Sequence, residues 1–168
     1  HQGWDVSDYN LASHPAQQAM FAMFTELAGE PIDIVGVDGC TLPAPRLSLV
    51  GFARALAKIA APDLLKGAMS KSAEQIMAST MQFPYLTGGT KSPNSIMTAA
   101  SSKKFFAKNG AEGVYAVILP EARSAMVLKI ADGSMRAADV AIAGMLAQMA
   151  EHLNLDRDML NKFSVEAK

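Results

Sequence analysis

Charge of a single sign is the first thing this sequence lacks: 15 Lys and Arg are balanced by 16 Asp and Glu, a formal net charge of −1. The two signs are well mixed along the chain, so there is no field to gather nucleic acid or an anionic membrane, and neither partner is expected. Cysteine is nearly missing as well. Cys40 stands alone, so no internal disulfide can form; this fits a reducing, cytoplasmic compartment and leaves the thiol free for metal or redox chemistry. Apolar runs are broken by charges or prolines well short of the ~20 residues a membrane helix needs. The first 20 residues have neither the basic start nor the continuous apolar stretch of a secretory peptide. Internal repeats and low-complexity tracts are absent. So is an initiator Met: the chain opens HQGWDVSDYNLASHP, polar, uncapped and aromatic-bearing, which reads as a linker inside a longer protein.

What is present suffices for a real core, since half of the 168 residues are hydrophobic. In HPAQQAMFAMFTELAGE, Ala16, Met20, Met23, Phe24 and Leu27 recur at helical spacing, with Pro15 in the first turn and Gly29 as the stop. The short β-branched segment IDIVGVDGC delivers Asp38 and Cys40 to a loop, and a proline-rich loop follows. LSLVGFARALAKIAAP predicts a second helix through Leu49, Phe52, Leu56 and Ile59, with Ser48 as N-cap and Pro62 as terminator. A third helix is predicted in SKSAEQIMASTMQF, where Ser72 and Gln75 have capping-box spacing. Between Pro84 and Pro93, YLTGGTKS reads as a flexible loop able to fold over a ligand.

Beyond it, FFAKNG, VYAVILP and SAMVLKI have the character of antiparallel strands, ended by an ADGS turn. MRAADVAIAGMLAQMAEHL, opening at Ser134 and apolar nearly all round, predicts a helix packed across that sheet. The sum is an α+β arrangement. Residues 1–93 form a helical region with the D-G-C loop, and 94–168 form antiparallel strands plus a covering C-terminal helix. Together they are expected to be one structural unit, truncated at its N-terminus. Three strands alone leave an unpaired edge, for which strands from a preceding N-terminal half are the natural partners. The apolar helices suit a homodimer interface as well as a core.

Two places combine reactive side chains with glycine. In Asp38-Gly39-Cys40, a thiolate beside a carboxylate suits zinc, but a closed site needs about four ligands. Taken alone, the pattern is better described as a buried free cysteine next to a turn. In Lys108-Asn109-Gly110, a strand-borne lysine before a small polar residue and glycine echoes the K-T-G element of serine β-lactamases and penicillin-binding proteins. Without context a surface lysine before a hairpin is the better reading. Other patterns fall away. Ser101 to Lys104 spells S-x-x-K, but runs into a strand rather than opening a helix. Gly88-Gly89-Thr90-Lys91-Ser92 lacks the spacing of a P-loop. His1, His14 and His152 are scattered and read as caps or surface residues, while Met20, Met23, Met77, Met145 and Met149 follow helix faces as core filler.

The order of these pieces is more specific than any one of them. SHPAQQ at 13–18, GVDGCTLPAPRLSLVGFARALA at 36–57, KNGAEGVYAVILPE at 108–121 and LKIADGSMRAADVA at 128–141 together resemble the Rhizobium-type L-asparaginase family, also called the L-asparaginase II family. The resemblance spans nearly the whole chain and implies a fold related to the serine β-lactamases and glutaminases, with hydrolysis of L-asparagine to L-aspartate and ammonia. It implies a serine nucleophile in an S-x-x-K element, a catalytic lysine matching Lys108, substrate contacts at Asp38, Asn109 and Gly110, and a zinc ligand at Cys40. The nucleophile and the remaining zinc ligands, in a C-S-G-K-H segment, would lie before His1, so the chain by itself is expected to be inactive. It departs from the family in two places: Asn109 stands where a threonine is usual, and GGTKSPNS replaces a G-x-G-R-x-D/C-T pattern. These departures motivate an alternative, a family member that binds a small amide or amino acid without turnover or with altered specificity.

Overall fold

The computed structural model describes residues 2–165. The chain divides into two compact units, residues 1–55 and 56–168. In the first, α1 (Pro15–Ala28) begins at His14, whose Nδ1 accepts from the Ala16 N–H at 3.1 Å while Nε2 donates to the Asp5 carbonyl at 2.7 Å. The helix ends at Gly29, as its sequence predicts. Strands β1 (Val35–Val37) and β2 (Pro43–Pro45) then form an antiparallel hairpin pairing Val35 with Pro45 and Val37 with Pro43. The proline-rich loop is therefore a strand. Proline is tolerated there because an edge strand can leave a donor unused.

Helix α2 (Leu49–Ala60) opens at Ser48, whose Oγ accepts from the Gly51 N–H at 2.8 Å, and gives way at Pro62 to a short 3₁₀ turn. In the second unit α3 (Ala68–Gln82) starts earlier than Ser72 and has Gly67 as its N-cap, so Ser72 and Gln75 lie inside the helix and form no capping box. The expected loop after Pro84 is in part helical: α4 (Tyr85–Gly88) and α5 (Pro93–Ala100) flank it. Strands β3 (Phe106–Asn109), β4 (Val114–Leu119) and β5 (Ser124–Lys129) form an antiparallel sheet in the order β3-β4-β5. Ser134 caps α6 (Met135–Gln148), and α7 (Arg157–Val165) follows, so the helix that covers the sheet is not the last one. The class is α+β, with more helix in the second unit, and a hairpin in the first, than the sequence pattern predicts. Among the described residues no helix is long and apolar enough to cross a membrane.

Strand β4 sets the layers of the second unit. Its Tyr115 and Val117 point into one cluster with Ile142, Ala143 and Leu146 of α6 and Leu160 of α7. Ile118 lies on the other face with Phe106, Met77 of α3 and Ala60 of α2. The β3-β4 turn closes through Gly113, at φ +70°, where an added Cβ would sit 2.8 Å from the Ile130 Cβ. Gly113→Ala is therefore expected to lower unfolding stability by about 1–3 kcal/mol, from left-handed backbone strain and overpacking together. Urea denaturation checks it through a lower midpoint at unchanged slope.

Candidate functional site

The first locus is the β1-β2 turn. The Asp38 N–H donates to the Leu42 carbonyl and the Thr41 N–H to the Asp38 carbonyl, both at 2.9 Å, with Thr41 at φ 72°. This tight geometry brings Asp38 and Cys40 together: the Cys40 thiol donates to Asp38 Oδ2 at 3.1 Å. That bond, helped by the backbone N–H groups of Gly39 and Cys40, holds the Asp38 carboxyl below its ordinary range. Cys40 is exposed, which corrects the expectation of a buried thiol. Strands of three residues carry no second layer here, and all of β1 is exposed.

The segment that carries this turn is fastened at its base. Glu30, just after α1, accepts from the Ser48 N–H at 2.6 Å and from the Ser48 hydroxyl at 2.7 Å. Arg46 donates to Asp33 at 2.6 Å across the same base, although both side chains are exposed and such a pair contributes little.

The second locus is the end of β3. Lys108 is exposed and pairs with Ala116, and through it with Val127, so it belongs to the sheet face of Phe106 and Ile118. Asn109, opposite Tyr115, belongs to the other face. Strand alternation thus separates the two side chains, yet the Lys108 ammonium folds back on its neighbour, donating to the Asn109 carbonyl at 2.5 Å and to its Oδ1 at 3.2 Å. Gly110 donates its N–H to the Val114 carbonyl at 2.8 Å and ends the ladder. The edge of β3 is covered by α5, where Thr98 Oγ1 accepts from the Ala107 N–H at 3.0 Å. Lys108, Asn109 and Gly110 are therefore consecutive groups on a well-held edge.

The discarded patterns have structural roles. Ser101 ends α5 rather than opening a helix, and its buried hydroxyl donates to the Thr98 carbonyl at 2.8 Å. Lys104 reaches the Asn154 carbonyl. His14 is a cap, His152 is exposed, and His1 lies outside the described residues. No group of three or more His, Cys, Asp or Glu side chains suited to a metal occurs among the described residues.

Sequence reasoning missed a third grouping. Lys91, Arg136 and Asp139 line one cleft beside α5 and α6. Its only sequence signals are the lysine of the GGTKS loop and the single acid in the body of an otherwise apolar helix.

The scaffold is that of a mixed α+β protein whose candidate polar groups sit at strand ends and turns. The family model described as L-asparaginase II matches residues 1–167, and the chain belongs to that family. No curated protein matches it. Membership supports an L-asparaginase-like, amide-hydrolysing function in general and a small-molecule amide as substrate.

One consequence of the geometry concerns acid. The Ser48 hydroxyl and N–H hold the Glu30 carboxyl below its ordinary value of 4.5. A depressed carboxyl stabilises above its unfolded value and loses that contribution as pH falls through the lower, folded one. The Ser48 amide resonance is expected to titrate with a midpoint below 4.5, and Glu30→Gln to abolish that titration; a pH-independent Ser48 amide in the parent would remove the clasp.

Proposed function

We propose that this chain supplies part of the active site of an asparagine amidohydrolase that converts L-asparagine to L-aspartate and ammonia by Ser-Lys chemistry, on a serine β-lactamase-like or glutaminase-like fold. The family match over residues 1–167 carries the reading. The exposed amino group of Lys108, rooted on a strand whose outer N–H is already satisfied, supports it. An unactivated amide needs a nucleophile relieved of its proton, and a lysine placed within reach of it is a suitable proton acceptor. In this reading Lys108 takes or returns that proton, Gly110 leaves room for the substrate beside the strand, and Asn109 and Asp38 orient it. The nucleophile in this reading is the serine of the family's S-x-x-K element. With Lys108 changed to Met, ammonia release by the complete protein is expected to fall about 10²-fold or more with the circular dichroism spectrum preserved. Near-parental turnover would make Lys108 an ordinary strand lysine.

The donors at Asp38 and Cys40 fit part of a zinc site. Cys40, on an exposed turn, would be one of the about four ligands zinc takes, with the Asp38 carboxylate, 3.1 Å from the thiol, beside the metal. When bound, zinc would supply positioning of the substrate and its neighbours rather than a hydroxide. The complete protein is expected to hold about one zinc per chain by elemental analysis, and Cys40→Ala to weaken binding sharply. Zinc no higher than background in the complete protein counts against the site.

A second reading is favoured by one observation: Asn109 Oδ1 accepts from Lys108 at 3.2 Å. A carboxamide there competes for the lysine in a way that the family's usual threonine does not. The protein would then bind a small amide or amino acid with altered specificity or without turnover.

A further inference from the structure

On the Tyr115 and Val117 side of the sheet, α5, α6 and α7 border a cleft of about 340 Å³. Its charged lining is Lys91, Arg136 and Asp139, and its apolar lining includes Ile96, Met97 and Phe163. None of the three charged side chains has a hydrogen bond or an ion pair among the described residues. Asp139 Oδ1 is buried with no partner, and the nearby Tyr115 hydroxyl is buried and equally unpartnered. A buried carboxylate oxygen left unpaired is destabilising, and burial holds the Asp139 carboxyl above its ordinary range.

The charges choose the ligand. A simple anion attracted by Lys91 and Arg136 meets Asp139, and a simple cation attracted by Asp139 meets both bases. A small molecule with both signs satisfies all three, and the apolar wall accepts a short carbon side chain. The volume lies at the small end of ligand pockets, about 300–1,000 Å³, which suits a free amino acid rather than a peptide. We propose that this cleft binds a zwitterionic α-amino acid, with its ammonium on Asp139 and its carboxylate on Arg136 and Lys91. The site is separate from Lys108, which belongs to the opposite face of the sheet, and it stands whether or not Lys108 is catalytic.

The test is calorimetric titration of the complete protein with L-alanine, which has no amide to hydrolyse, and with propionate and ethylammonium as its two halves. L-alanine is expected to bind saturably with Kd about 1 mM or tighter, and each half at least about 10-fold more weakly. Asp139→Asn and Arg136→Gln should each weaken L-alanine at least about 10-fold. Asp139→Asn should melt no lower than the parent, because it removes a buried uncompensated charge. Absence of saturation up to about 50 mM, well above the range where such contacts register, would overturn the proposal. So would parental affinity in Asp139→Asn.

Discussion

Strand β4 is buried on both faces, and the second unit is organised around that fact. VYAVIL is a continuous apolar run because Tyr115 and Val117 face α6 while Ile118 faces α3. As the central strand, β4 also has both hydrogen-bonding edges paired, by β3 and β5. Lys108 inherits its position from that constraint. It is exposed, but its register partner Ala116 is locked between two clusters. Sliding β3 by one residue would turn Lys108 into the α6 cluster and Ala107 out of it. The ammonium is thus exposed, held only by its neighbour Asn109, on a backbone fixed by the sheet.

Elements with a strong local signal were legible in the sequence. Gly29 marks the end of α1, Ser48 and Ser134 open α2 and α6, and the apolar runs of β3 to β5 carry their own register. Two failures have one cause. Helix α5, PNSIMTAA, buries Asn94, Ser95 and Thr98 together with Met97, so a reading that sends polar residues to the surface finds no apolar face. Strand β2 consists of two prolines around an alanine, and proline argues against a strand unless the edge position is known beforehand. Both depend on what the segment meets in three dimensions. Ser72 and Gln75 failed differently: the spacing is right, but nothing in it says that the helix already began at Ala68.

The site was legible in its parts and not in its relations. Asp38 and Cys40 are two residues apart in sequence, so their 3.1 Å contact needs only a tight turn. The Lys108 interaction with Asn109 could not be anticipated, because strand alternation predicts opposite faces. The Lys91, Arg136 and Asp139 cleft joins residues on separate elements, and no spacing encodes it.

Four buried side-chain atoms among the described residues of the second unit have no partner. Asn94 Nδ2 and Ser95 Oγ lie on α5, the Tyr115 hydroxyl on β4 and Asp139 Oδ1 on α6, the elements that border or underlie the mixed-charge cleft. Gly88 packs onto the first two so closely that a Cβ would stand 2.8 Å from both, so the turn before Lys91 is pinned to α5 by contact rather than by hydrogen bonds. Four such groups scattered at random through a core would only subtract stability. Two of them, Asp139 Oδ1 and the nearby Tyr115 hydroxyl, belong to the cleft's α6 side and are polar atoms that hydrophobic packing did not consume. A chain selected for stability alone would have replaced Tyr115 by phenylalanine and Asp139 by a leucine or alanine, since α6 is otherwise apolar. Retaining both is the pattern expected where local stability is given up for recognition.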